Sequence, residues 1–262
     1  MKVVVCIKQV PDTTEVRLDP VTNTLIRDGV PSIINPDDKA GLEAALRLKD
    51  ELGATVSVVS MGPPQADAVL REAMAMGADE AFLVTDRAFG GADTWATSST
   101  IAAAIQAVAP DYDLIITGRQ AIDGDTAQVG PQIAEHLHIP NISYTEELKV
   151  EGEYVIVKRQ YEDRYHIVKA KMPCLLTALS ELNTPRYMTP GGIFDAYREK
   201  EVKIVTRKDV EIDDSNIGLK GSPTKVAQSF PKQVKPAGVK VQLDVEESAE
   251  YILEKLKEKF II

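Results

Sequence analysis

The chain has 262 residues, 44% hydrophobic and 27% charged, which excludes a disordered polymer and leaves room for one large or two small domains with a proper core. A formal net charge of −10 argues against broad nucleic-acid binding through a basic surface. No segment carries the ~18 consecutive apolar residues needed to cross a bilayer, and the apolar part of the N-terminus is too short for an export signal, so a cytoplasmic protein without membrane insertion is expected.

Residues 3–8, VVVCIK, read as a first strand, bounded by Pro11. Residues 37–53 place Leu42, Ala45, Leu46, Lys49 and Leu52 at helical spacing, with Asp at the start and Gly53 at the end. A second strand follows over 54–62, then a helix ended by Gly77 and a third strand over 80–86. A helix rich in small residues covers 94–110, a fourth strand 112–118, and a further helix 125–137. The strands are near-continuous apolar runs alternating with helices. That pattern predicts an α/β fold: a parallel sheet with helices on both faces, Rossmann-like and suited to an adenine nucleotide.

From residue 142 the pattern changes to strands separated by a Glu-Gly turn and a YEDR turn, followed by CLLTAL. This predicts an antiparallel meander on the same sheet or at its edge. Residues 180–243 are rich in Pro, Gly, Lys and Asp, with short apolar runs such as EVKIVT. They read either as a linker or as an arm that folds against another protein. The arm ends in a helix whose stripe is Val245, Ala249, Ile252, Leu253, Leu256 and Phe260. The expected division is therefore 1–180 for the α/β domain and 181–262 for the extended arm.

Cys6 and Cys174 sit in separate apolar runs and read as buried thiols; with no CxxC pair, zinc and iron–sulfur binding through cysteine clusters are not expected. His136 and His138 stand two apart and face different ways, so with His166 they make no metal pattern. Three loops carry candidate chemistry. The first is GRQAIDGDTAQVGP, 118–131, between the fourth strand and the next helix. Gly118 allows close approach of a ligand, Gly124 a tight turn, and Asp125 or Thr126 a helix cap whose free N–H groups suit a pyrophosphate. Arg119 can offset phosphate charge. Three readings stand beside one another: a nucleotide loop, a plain strand–turn–helix, and a magnesium site on Asp123 and Asp125. The third finds no supporting carboxylate or histidine cluster, and no metal is expected. The second loop, 86–99, offers Gly90, Gly91, Asp93, Thr94, Thr97 and Ser98 as donors to phosphate or ribityl oxygens, or simply as helix caps. The third, 33–41, holds Asn35-Pro36 and a cap at Asp37 or Asp38. All three would converge at the carboxyl edge of the sheet, where open α/β folds bind ligands.

INPDDKAGLEAALRLK, AMAMGAD, QAIDGDTAQVGP and LNTPRYMTPGGIF, in that order along the chain, resemble the β subunit of electron-transfer flavoproteins. The resemblance implies a heterodimer with an α subunit that holds an electron-carrying FAD. It places nucleotide contacts on Cys6, on Asn35, Pro36, Asp37 and Asp38, on Met61, and on Gly118, Arg119, Gln120, Ala121, Ile122, Asp123, Gly124, Asp125, Thr126, Ala127, Gln128 and Val129. It places a dehydrogenase-docking loop near 178–200, including Pro185, Arg186 and Tyr187. The position of the usual apolar anchor is Pro190 here, which moves the expected anchor to Met188, Ile193 or Phe194. The terminal helix is expected to pack on the α subunit. No side chain is implied as nucleophile or acid, because flavin carries the chemistry.

Ordinary members bind AMP as a structural nucleotide. FGGADTWATS together with DGDTAQVGP resembles instead the electron-bifurcating and nitrogen-fixation-linked members. There a second FAD replaces AMP and takes hydride from NADH. One electron passes to ferredoxin or flavodoxin, the other through the α-subunit FAD to an acyl-CoA dehydrogenase such as butyryl-CoA dehydrogenase. That branch implies that Asp93, Thr94 and Thr97 help hold the longer cofactor.

Overall fold

The computed structural model describes residues 1–12, 31–227 and 237–262. The chain divides into two compact units, 1–227 and 228–262.

The first unit is built on one nine-stranded sheet. Its strands are β1 (Lys2–Cys6), β4 (Thr55–Met61), β5 (Glu80–Val84), β6 (Leu114–Gly118), β7 (Asn141–Glu151), β8 (Tyr154–Gln160), β9 (Tyr165–Lys171), β10 (Cys174–Ala178) and β11 (Val202–Val205). A two-stranded ribbon pairs β2 (Gln9–Pro11) with β3 (Ser32–Ile34). The spatial order is β11-β5-β4-β1-β6-β10-β7-β8-β9. Neighbours from β11 to β7 are parallel, and only β7-β8-β9 run antiparallel.

The apolar runs are continuous because both faces are covered. Val3, Val5, Val56, Val58, Leu114, Ile116 and Leu176 share one buried cluster with Leu42 and Leu46 of α1 (Pro36–Leu52) and Leu70 and Ala73 of α2 (Asp67–Met76). Val4, Cys6, Val59, Phe82, Ile115 and Leu175 face the other way, onto Ile101 and Ile105 of α3 (Thr94–Val108) and Ile133 of α4 (Val129–His136). Each Val, Leu, Ile and Phe among them contributes roughly 1.5–3 kcal/mol by leaving water. Gly53 ends α1 in the left-handed conformation at φ 67°, and Asp93 caps α3 through the Ala96 N–H. Cys6 and Cys174 are both buried free thiols, as read from their apolar surroundings. Among the described residues no helix is long and apolar enough to cross a membrane.

Three expectations need correction. CLLTAL is not the last strand of a meander: β10 lies parallel between β6 and β7. An apolar run buried on both faces does not show its direction. Second, the boundary at 180/181 falls inside the first unit. Residues 190–198 form α5 (Pro190–Arg198), which packs on α2, and EVKIVT supplies β11, paired parallel to β5. Short 3₁₀ turns and α6 (Gly218–Gly221) complete that stretch. Third, the helix after β6 starts at Val129 rather than Asp125. Residues 228–236 of the expected arm lie outside the described residues.

The second unit contains α7 (Val245–Glu258), with Asp244 accepting from the Glu247 N–H at 2.8 Å as its cap. Glu246 and Glu247 lie in its first turn and Lys255 and Lys257 in its last, which complements the helix dipole. None of its side chains is buried, Ile252 and Leu253 included.

Candidate nucleotide-binding site

Strand order reverses between β1, which leads on to β4 and β5, and β6, which leads the chain to the opposite side. The loops after β1 and β6 therefore open a crevice at the carboxyl edge. The fold brings 6–12, 33–38 and 118–130 together there.

The start of α1 organises this crevice. Asn35 is fully buried and staples the loop after β6: its Nδ2 donates to the Gln120 carbonyl at 2.8 Å and its Oδ1 accepts from the Ile122 N–H at 3.0 Å. Asp38 ties together the two strand ends, accepting from the Lys8 N–H at 2.7 Å and the Gly118 N–H at 2.9 Å. Burial pushes its carboxyl up to about 7 despite those donors. Asp37 accepts from the Ser180 N–H at 3.1 Å and lies 3.4 Å from Arg119 Nε; burial raises its carboxyl and Arg119 opposes the rise. Neither aspartate caps α1, as the sequence suggests; both are drawn into the crevice by donors distant in sequence. Cys6 packs its thiol among the core residues of the α3–α4 face, and burial with the Asp38 charge pushes it up to about 12, so it stays neutral. Met61 sits half-buried at the end of β4.

The loop itself turns at Ala121, whose carbonyl accepts from the N–H groups of Gly124 and Asp125 at 3.1 and 2.9 Å. Asp123 pairs with Lys8 Nζ at 2.7 Å, while Asp125 accepts from Gln120 Nε2 at 2.7 Å. The two carboxylates are thus spent on separate partners, not gathered as metal ligands. Nor does Asp125 or Thr126 cap α4, whose N-cap position is Gln128 with no side-chain cap. Instead Asp125 and Ala127 adopt left-handed φ of 50° and 52°. Such residues store of order 1–3 kcal/mol each. Among the described residues, the N–H groups of Thr126, Ala127, Gln128, Val129 and Gly130 have no hydrogen-bond acceptor. Glycine is required at both ends of the loop: a Cβ on Gly118 would stand 2.2 Å from Asp38 Oδ1, and one on Gly130 2.4 Å from Thr117 Oγ1.

The second loop is divided. Thr94 is brought to the site, its Oγ1 donating to Gln128 Oε1 at 3.1 Å. Asp93 is turned away: besides capping α3 it accepts from the N–H and hydroxyl of Thr224 at 2.9 and 2.6 Å. Thr97 lies half-buried on the first turn of α3.

The expected docking residues lie elsewhere. Pro185 and Arg186 are half-buried, and Arg186 points inward, donating to Glu43 at 2.8 and 3.2 Å and to Asp50 at 2.7 Å. Tyr187 is 94% exposed, and Met188, Ile193 and Phe194 are exposed beside it. The sequence reading did not single out Tyr197, exposed on α5 with Ile193 and Phe194, or Lys8, which pairs with Asp123. A lone cation directly after the first strand was the available signal for Lys8.

These features accord with the comparisons. The electron transfer flavoprotein domain matches residues 22–210. The chain is 60% identical over 262 residues to the electron transfer flavoprotein subunit beta of Clostridium acetobutylicum, covering 100% of each chain. It is 55% identical over 262 residues to the subunit of the same name from Thermoanaerobacterium thermosaccharolyticum, again over 100% of each. It is 54% identical over 264 residues to the caffeyl-CoA reductase-Etf complex subunit CarD of Acetobacterium woodii, over 100% of each. The chain thus belongs to the electron transfer flavoprotein family, as a β subunit.

Proposed function

We propose that this β subunit holds FAD, rather than AMP, on the 118–130 loop and serves as the NADH-oxidising half of an electron-bifurcating flavoprotein. The observation that carries the reading is that, among the described residues, the five N–H groups from Thr126 to Gly130 lack acceptors, in a loop bounded by two glycines that admit no Cβ. Such a row binds a pyrophosphate by main-chain dipoles, which suits a chain of net charge −10. Lys8 neutralises Asp123 and so lowers the repulsion that the loop's own carboxylates would offer. Thr94, joined to Gln128, sets a hydroxyl beside the loop, and this supports a ligand that continues past the pyrophosphate into a ribityl chain.

FAD, when bound, supplies hydride acceptance from NADH and single-electron transfer to two acceptors. This chain's residues bind and orient it: Asn35 and Asp38 fix the loop, and the N–H row holds the phosphates. Ferredoxin or flavodoxin is the expected low-potential acceptor. The second route leads through the FAD of the α subunit to an acyl-CoA dehydrogenase such as butyryl-CoA dehydrogenase. The name of the Acetobacterium relative, an Etf complex with a caffeyl-CoA reductase, supports that class of partner. The exposed group of Tyr187, Met188, Ile193 and Phe194 is proposed as its docking surface, and α7 as a contact to the α subunit. The test is the nucleotide content of the purified heterodimer. Two FAD per heterodimer with NADH-dependent ferredoxin reduction is expected. One FAD and one AMP would overturn bifurcation and leave an electron carrier with a structural nucleotide.

A further inference from the structure

The loop after β5 is gripped by a strap that runs from Arg207 to Thr224. The Arg207 N–H donates to Asp86 Oδ2 at 3.1 Å, and the Leu219 N–H donates to the Gly90 carbonyl at 3.0 Å. The two backbones meet so closely that only glycine fits. Gly218 takes φ 55°, and a Cβ there would stand 2.1 Å from the Ala88 carbonyl oxygen. The strap closes on Asp93. The Asp93 N–H donates to Ser222 Oγ at 2.8 Å, and that buried hydroxyl donates on to the Gly218 carbonyl at 2.8 Å.

Asp93 is committed more fully than a helix cap requires. A cap needs one acceptor for one N–H of the first turn, and Asp93 Oδ1 supplies it to the Ala96 N–H at 3.0 Å. The other oxygen, Oδ2, is spent on the strap, accepting from the N–H and the hydroxyl of Thr224 at 2.9 and 2.6 Å. Burial pushes the Asp93 carboxyl up, but the Thr224 hydroxyl and the N–H groups of Ala96, Thr224 and Trp95 hold it below the usual carboxylate range. Thr224 is exposed, as are Pro223, Lys225 and Val226 beside it, so its hydroxyl serves no core. The residue after Asp93 is Thr94, whose Oγ1 donates to Gln128 Oε1 at 3.1 Å. Gln128 carries one of the N–H groups without an acceptor. Asp93 therefore joins the strap on one side to the nucleotide loop on the other.

We propose that Asp93, Ser222 and Thr224 are positioning residues, which fix the Thr94 hydroxyl for the part of a dinucleotide that lies beyond its pyrophosphate. This role rests on the nucleotide reading of the 118–130 loop. Thr94 is the first residue of α3, so the direction of its side chain follows the residue before it. Asp93 has its N–H and both carboxylate oxygens held, which leaves Thr94 one orientation. Without the Thr224 hydroxyl the Ala96 cap remains, but Oδ2 loses its shortest bond and Thr94 loses its register with Gln128. A binding group works only when its supporting hydrogen bonds hold it to within about 0.5 Å. AMP ends before this hydroxyl and is indifferent to it.

The test uses the heterodimer with the nucleotide of the β subunit removed and the α-subunit FAD retained. Wild type, Thr224→Val and Thr224→Ser are titrated separately with FAD and with AMP. Thr224→Val keeps the side chain's size and takes the hydroxyl away from Asp93. FAD affinity should fall about fivefold, the size of one net hydrogen bond, with AMP affinity unchanged. The melting temperature of the nucleotide-free heterodimer should stay as in wild type, because Thr224 is exposed. Thr224→Ser should restore FAD affinity. Unaltered FAD affinity in Thr224→Val would overturn the positioning role alone. Equal loss of FAD and AMP, or no rescue by serine, would also overturn it and make the strap a clasp for the fold. A wild-type protein that takes AMP but not FAD would overturn both this role and the function proposed above.

Discussion

Asp38 shows how one side chain links the fold to the loop. Its carboxylate joins the end of β1 to the end of β6 through two main-chain donors, and burial raises it to about 7. The folded protein therefore takes up a proton near neutrality that the unfolded chain releases at about pH 4. The stability this contributes is full below about pH 4 and is lost as pH rises through 7. Chemical denaturation between pH 4 and 8 should show that decline, and Asp38→Asn should flatten it. An unchanged slope in the variant would assign the titration to another group. Gly118 meets the same carboxylate from the other side. Gly118→Ala drives a Cβ into Asp38 and should lower stability by about 1–3 kcal/mol, read as a lower denaturation midpoint.

At the scale of elements, the segment between β10 and β11 combines an anchor with an exposed surface. Arg186 anchors it to α1 through Glu43, whose side chain is only 5% exposed. Burial pushes the Glu43 carboxyl up, but hydrogen bonds from Arg186 outweigh this and hold it below the usual range. That contribution is present above about pH 4.3 and disappears as pH falls through the lower folded value. Arg186→Ala should therefore lose about 1–3 kcal/mol of stability at pH 7. Ile193→Ala with Phe194→Ala should change stability little, because both side chains are exposed, yet weaken transfer to the dehydrogenase while NADH oxidation by artificial acceptors continues. Loss of both activities would mark the pair as structural.

Strands such as VVVC and LIIT were legible because burial on both faces leaves a continuous apolar run. The direction of β10 was not, and β11 was hidden because Lys203 and Ile204 are exposed, leaving only Val202 and Val205 to face inward. The sequence marked the loop out as a candidate nucleotide site, but its turn was misread. Asp125 looks like a helix cap in sequence, but its left-handed backbone and its hydrogen bond from Gln120 place it in a turn ahead of α4. Lys8 gains meaning only from strand order, which sets β1 beside β6 and so brings Lys8 to Asp123.

For the whole molecule, the contrast is between a sheet unit with a two-sided core and a terminal unit whose helix buries no side chain. A chain ending at Ala227 should keep one cooperative unfolding transition, seen by circular dichroism, because every strand of the sheet lies before that point. It should lose assembly with the α subunit, measured by co-purification. Failure of the shortened chain to fold would show that the terminal unit completes the core.

The place of β10 also sets an order of events. β7 touches the parallel sheet only through β10, which leaves the ribosome after the β7-β8-β9 hairpins are complete. Those hairpins pair locally, Thr145 with Arg159 and Gln160 with Tyr165, and so can form early. They must then wait for a five-residue strand to insert between them and β6. Until it does, the edge of β6 is open to pairing with another chain. Synthesis stalled before residue 174 should therefore be the stage at which this protein most needs a chaperone, which ribosome-bound intermediates of defined length can reveal.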